Sequence, residues 1–310
     1  MKTYKELSEK WEEISPYTGG FLLVPDDHPL SFHIGYLSDS QKCFIVLNTG
    51  KLDKISSSKA IDVENILLDD GSYALRFVLN YPSLDEIFIK LCWDLMVASK
   101  TASKPVEALI SQYKKWLRLL HQVGNGLLPV ISQKGLIGEL LYLSELIDDR
   151  GDVQSIGEWV GPDGADQDYN FSQGWAEVKT TTIAGSTIQV SSLQQFDRHD
   201  DGILVVFFMD KTSSSGSQTI SLNEAVSMIR SKVSSDQAKE IFDIKLAKCG
   251  YQSKDAEEYS KIRFKIGEER KYNVVNDFPR LTKDNTPAPV VDAQYQIDLP
   301  AVENYRIKEA

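Results

Sequence analysis

The stretch Trp175-Ala176-Glu177-Val178-Lys179-Thr180 alternates between two kinds of side chain. In a β-strand successive side chains point to opposite faces, so Glu177 and Lys179 share a face with Trp175, while Ala176 and Val178 pack on the other. An acid and a base two residues apart are common on protein surfaces, and the preceding segment is what singles this pair out. Asp166-Gln167-Asp168-Tyr169-Asn170-Phe171 reads as a second strand, joined to the first by the hairpin turn Ser172-Gln173-Gly174. With the turn centred between Ser172 and Gln173, Asp168 stands directly across from Glu177 and points the same way. Two facing carboxylates repel unless a cation lies between them. Hard oxygen ligands suit Mg²⁺ or Mn²⁺, and Mg²⁺ is commonly held by one or two carboxylates with waters and a substrate phosphate. Lys179 would then lie near a metal-bound water. A one-residue bulge would move Asp166 into the ligand position, and Pro162-Asp163 offers a further aspartate, so the candidates rank Asp168, Asp166, Asp163.

Upstream, a helix is expected over Lys134 to Ile147. Glu139 falls on its apolar stripe with Leu136, Leu143 and Leu146. A carboxylate there is costly to bury without a partner, which a metal or its water would supply; taken alone, Glu139 reads first as a boundary residue reaching solvent. Downstream come a strand at Thr187 to Val190 and an apolar strand at Ile203 to Met209. Two capped helices follow, signalled by Ser221 with Glu224 and Ser234 with Gln237. The alternation Lys261-Ile262-Arg263-Phe264-Lys265-Ile266 sets three basic residues on one strand face, either a wet face or a stripe contacting DNA phosphates.

Towards the amino terminus, an amphipathic helix (Tyr4, Leu7, Trp11, Ile14) precedes Pro16 and the Gly19-Gly20 turn. Strands are expected at Phe21 to Val24, Ser31 to Tyr36, Lys42 to Leu47, Asp62 to Leu68 and Tyr73 to Leu79. A capping box, Ser83 with Glu86, opens a helix to about Ser99, and a second helix starts at Pro105. Gly124-Asn125-Gly126 breaks the chain. The expected organisation is therefore a β-rich amino-terminal region with following helices at 1–130, a mixed α/β (α+β) core at 131–250, and a β extension at 251–310 packing back on the body.

Composition narrows the function. The 310 residues carry 34 basic and 45 acidic side chains, a net charge of −11, which argues against holding nucleic acid by long-range attraction of the whole surface. Three scattered cysteines and four scattered histidines form no disulfide framework, zinc site or triad. No Walker A, Rossmann or Gly-x-Ser-x-Gly motif occurs. The longest apolar run, Ile203 to Met209, is far short of the roughly 20 residues a bilayer requires. Residues 1–7 are charged where a secretory signal would turn apolar, so a cytoplasmic protein is expected. An Asp-x-Asp nucleotide-sugar site at Asp166 and Asp168 is disfavoured because no nucleotide-binding βαβ segment precedes it.

The ordered set of Gly135-Leu136-Ile137-Gly138-Glu139-Leu140, Asp168-Tyr169, Glu177-Val178-Lys179-Thr180-Thr181 and the glutamine-bearing turn Ser191-Ser192-Leu193-Gln194-Gln195 resembles the PD-(D/E)XK nuclease superfamily. With Asp277-Phe278-Pro279-Arg280-Leu281 and Tyr295-Gln296-Ile297-Asp298-Leu299, it is more closely similar to a bacterial PD-(D/E)XK-motif family found in phage-defence and restriction gene clusters. The resemblance implies a restriction-endonuclease-like core of mixed sheet flanked by helices. It also implies Mg²⁺- or Mn²⁺-dependent hydrolysis of DNA phosphodiesters. Asp168 and Glu177 would be the metal ligands, Glu139 would hold the metal or its water shell, Lys179 would position or activate the attacking water, and Gln195 would support the site. Helicase-like or MutL-like ATPases of a defence complex are the implied partners. The competing expectation is a catalytically silent scaffold or adaptor that keeps the nuclease fold.

Overall fold

The computed structural model describes residues 3–14, 20–24, 27–37, 41–120, 127–275 and 277–308. Pro16, Gly19 and the break at Gly124-Asn125-Gly126 lie outside the described residues. Two compact units form: residues 1–126 with 243–252, and residues 127–242 with 253–310. The third segment set apart in the sequence, 251–310, thus contributes almost wholly to the second unit, because its long strand joins that unit's sheet.

The first unit contains helix α1 (Tyr4–Glu12) and strands β1 (Gly20–Leu23), β2 (Ser31–Tyr36), β3 (Lys42–Leu47), β4 (Ile61–Leu67) and β5 (Tyr73–Leu79). Helices α2 (Asp85–Lys100) and α3 (Pro105–Leu120) follow. The strands pair antiparallel in the order β1-β2-β3-β5-β4. Register aligns Phe32 with Val46, Ile34 with Phe44, Phe44 with Phe77, and Val63 with Phe77, which gathers one apolar face. That face packs with Leu7 and Trp11 of α1 and with the buried sides of α2 and α3. A 3-10 turn over Pro82–Leu84 precedes α2, so the cap position falls on Leu84, one residue after the expected Ser83.

The second unit runs α4 (Val130–Arg150), α5 (Asp152–Glu158), β6 (Tyr169–Asn170), β7 (Trp175–Thr181), β8 (Thr187–Val190), β9 (Gly202–Thr212) and β10 (Thr219–Ser221). It continues with α6 (Leu222–Lys232), α7 (Asp236–Lys248), which leads into the first unit, α8 (Ala256–Ser260), β11 (Arg263–Val274) and β12 (Tyr295–Asp298). The sheet order is β10-β11-β9-β7-β6, with β7 and β9 parallel and the other pairs antiparallel. A parallel pair needs a crossover, and residues 182–201, with β8 inside them, supply it. One sheet face meets α4, where a Cβ on Gly138 would stand 2.7 Å from the γ-methyl of Thr180. The other face, through Trp175, Leu204, Val206 and Phe208, shares a core with Ile188 and Val190 of β8 and Ile297 of β12. This is the mixed α/β (α+β) core expected from the sequence.

Three local expectations are corrected. The strand expected over Asp166 to Phe171 is reduced to Tyr169–Asn170. Lys261 sits at the end of α8 instead of in the basic strand, which begins at Arg263. Ser221 forms its capping box with Glu224, but at α7 the amide of Ala238 is accepted by Ser235, because Ser234 instead donates to Asp152.

Candidate active site

Strand β7 places Glu177 and Lys179 on the face it shares with Trp175, beside Leu204 and Val206 of β9 in the parallel register. Glu177 is 1% exposed. Its Oε1 lies 2.7 Å from Lys179 Nζ, whereas its Oε2 is buried with no hydrogen-bond partner. Lys179 Nζ also donates to Gln195 Oε1 at 3.1 Å, and the same oxygen accepts from Ser191 N at 2.8 Å. The ammonium is therefore held from both sides.

The β6–β7 register pairs Tyr169 with Ala176 and Asn170 with Trp175, so its continuation sets Asp168 across from Glu177. The ladder stops there because Asp168 spends its groups elsewhere. Its main-chain carbonyl accepts from Val160 N (2.8 Å) and Gly161 N (2.9 Å), and its Oδ2 accepts from Val178 N at 2.8 Å. A carboxylate thus replaces the strand partner of β7. The close approach of Gly161 to Asp168 favours a residue without a side chain: a Cβ there would sit 3.0 Å from Asp168 Oδ1 and 3.2 Å from its Cα.

Glu139 comes from α4, whose Gly138 permits the near contact with β7. Its Oε2 accepts from the indole Nε1 of buried Trp159 at 2.8 Å, and its main-chain carbonyl accepts from Tyr169 OH at 2.8 Å. A β-bridge between Trp159 and Tyr169 ties these two donors together.

Electrostatics follow from three carboxylates sharing one lysine. Burial, then the charge of Asp168, pushes the Glu177 carboxyl up to about 8 against the pull of Lys179. Burial raises Asp168, opposed by Lys179 and by the Val178 amide. Burial first and Asp168 second hold Glu139 well above the usual carboxylate range, opposed by the Trp159 donor. Such a cluster stabilises a positive charge.

Among the described residues no group of three or more His, Cys, Asp or Glu side chains converges closely enough to hold a metal ion. Two carboxylates are what Mg²⁺ needs when waters and a phosphate complete its shell, and the buried, unpartnered Glu177 Oε2 is a donor suited to it. Asp168 and Glu177 fit such an ion.

The remaining sequence candidates lie elsewhere. Asp166 is exposed and lines a cavity of about 520 Å³ with Gln194, Asp197, Arg198, His199 and Lys283. Asp163 ends the 3-10 turn Gly161–Asp163. Arg263 donates to Glu224 at 2.8 Å and to Thr219, Lys261 pairs with Glu258, and Lys265 is exposed on β11 opposite Asp210. Two of the three basic side chains are thus already neutralised. Trp159 and Gly161 shape the site without any motif to announce them, and Gly138 does so from within the stretch 135–140, whose pattern assigned it no role of its own.

The profile of the family described as "Putative PD-(D/E)XK family member, (DUF4420)" matches residues 2–300. The chain belongs to this family. No curated protein and no solved structure matches it. In this chain Asp168 immediately precedes β6, and the Glu177-Val178-Lys179 run lies in the adjacent strand β7. Among the described residues no helix is long and apolar enough to cross a membrane.

Proposed function

We propose that the chain is a divalent-metal-dependent DNA endonuclease, working in the cytoplasm as a subunit of a bacterial anti-phage or restriction complex. The observation that carries the reading is the facing pair Asp168 and Glu177, with a buried, unpartnered Glu177 oxygen and a lysine held beside it. A bound Mg²⁺ or Mn²⁺ would lower the pKa of a water and offset charge on the scissile phosphate. The chain's own residues do the rest. Asp168 and Glu177 would hold the ion. Glu139, its Oε2 fixed by Trp159, would have its other oxygen for the ion's water shell. Lys179 has three N–H donors, and two are directed to Glu177 and Gln195, which leaves one for the attacking water or a phosphate oxygen where negative charge develops.

The acidic balance of the chain fits a nuclease subunit whose grip on DNA comes from partners, for which helicase-like or MutL-like ATPases are proposed. The second reading, a scaffold that keeps the fold without the chemistry, draws on the ion pair between Glu177 and Lys179, which lets the site neutralise part of its own charge.

Cleavage of plasmid and linear DNA with Mg²⁺ or Mn²⁺ separates the two. Wild type, Glu177→Ala and Lys179→Ala would each be assayed alone and with the products of neighbouring genes. Cleavage lost in both variants supports the nuclease. No cleavage under any condition, with both variants still supporting the protein's role in cells, supports the scaffold.

A further inference from the structure

Gln167 is buried at 7% exposure, and its Nε2 donates to the main-chain carbonyls of Gln194 at 2.8 Å and Gln195 at 3.3 Å. Only the amide nitrogen can meet two carbonyl oxygens, so these partners set the side chain's orientation. The next residue along the chain is Asp168, anchored through its carbonyl to Val160 and Gly161 and through Oδ2 to Val178. The turn that Gln167 grips, Leu193–Gln195, carries the glutamine whose Oε1 receives Lys179 Nζ. One amide therefore joins the strand end bearing Asp168 to the turn that holds the lysine.

We infer that Gln167 is a positioning residue for Lys179, fixing the Leu193–Gln195 turn so that the ammonium is held at a set place relative to Asp168 and Glu177. The kinetic consequence rests on the nuclease reading; the structural coupling does not. Leu193 is fully buried and its N–H donates to Asp292 Oδ1 at 3.1 Å, so the turn stays attached at its start when Gln167 is replaced. Loss of the amide loosens only the end that carries Gln195. A misplacement of about 1 Å at a reacting group costs up to about 100-fold in rate.

The test compares wild type with Gln167→Met, which keeps length but has no donor, and Gln167→Glu, which sets carboxylate oxygens against two carbonyls. Three readouts are taken on the full chain: the side-chain resonances of Lys179 in ¹³C,¹⁵N-lysine-labelled protein, assigned with Lys179→Arg; Mn²⁺ affinity; and kcat and KM for DNA. The expected result is a Lys179 resonance displaced in Gln167→Met in the same direction as in Gln195→Ala, and further in Gln167→Glu. Mn²⁺ affinity should stay within about threefold while kcat falls about tenfold or more at little-changed KM. An unmoved Lys179 resonance in both folded variants overturns the inference, as does a loss of cleavage that only follows loss of Mn²⁺ binding. If wild type cuts no DNA, the nuclease reading fails, while the resonance comparison still decides the coupling. If Gln167→Glu does not fold, Gln167→Met alone decides it.

Discussion

At the scale of single residues, the roles of Lys179 and Trp159 separate cleanly. Lys179 is not a metal ligand, so Lys179→Ala should abolish DNA cleavage while Mn²⁺ affinity, measured by calorimetry, stays within about threefold of wild type. Loss of metal binding in that variant would mean that the lysine holds the carboxylates in place. Trp159 supplies a buried donor to Glu139 Oε2. Trp159→Phe keeps the ring but leaves that oxygen unpaired, at an expected cost of about 1–3 kcal/mol in urea denaturation. The register of β6 on β7, Tyr169 with Ala176 and Asn170 with Trp175, was legible in the sequence because a hairpin turn sets register, and register decides which side chains face each other. Trp159 was not legible. Its donor reaches a glutamate twenty positions earlier across a helix–loop contact, and no periodicity in either segment says which tryptophan goes there. Gly161 is equally silent, since its reason is the nearness of Asp168 and not its own backbone.

At the scale of elements, the site depends on how closely α4 lies against β7. At Gly138 an added Cβ would stand 2.7 Å from the γ-methyl of Thr180, and Gly138→Val should force the two elements apart, with an overpacking cost of about 1–3 kcal/mol in chemical denaturation. The same change should lower cleavage by moving Glu139, its neighbour in the helix. Elements with strong local signals were read closely: β2, β3, β5 and β8 fall on the expected residues, and the Ser221–Glu224 capping box closes as anticipated. The misplaced elements share a physical cause, which is a side chain taking a backbone group that regular structure would have used. Asp168 ends β6 early by accepting from Val178, and Asp152 draws Ser234 out of the cap position of α7. Alternation alone carried the strand back to Lys261, where a short helix intervenes.

At the scale of the whole molecule, a cluster of buried acids makes stability depend on pH in an unusual direction. The Glu177 carboxyl rises from an ordinary 4.5 to about 8 on folding, so between those values the folded chain binds the extra proton. Stability from this group is therefore fully present below pH 4.5 and is lost as pH rises through 8. In EDTA, the Tm of wild type should fall relative to that of Glu177→Gln as pH goes from 5 to about 8.5, and saturating Mn²⁺ should restore it at the upper end. A constant difference between the two proteins across that range would contradict the burial of an ionisable Glu177. The most direct test of the central claim, that Asp168 and Glu177 form a seat for a divalent cation, is Mn²⁺ binding to the full chain near pH 8 followed by electron paramagnetic resonance. The account predicts saturable binding in wild type and in Lys179→Ala, and its loss in both Asp168→Asn and Glu177→Gln. Absence of binding to folded wild type, or undiminished binding in those two variants, would contradict it.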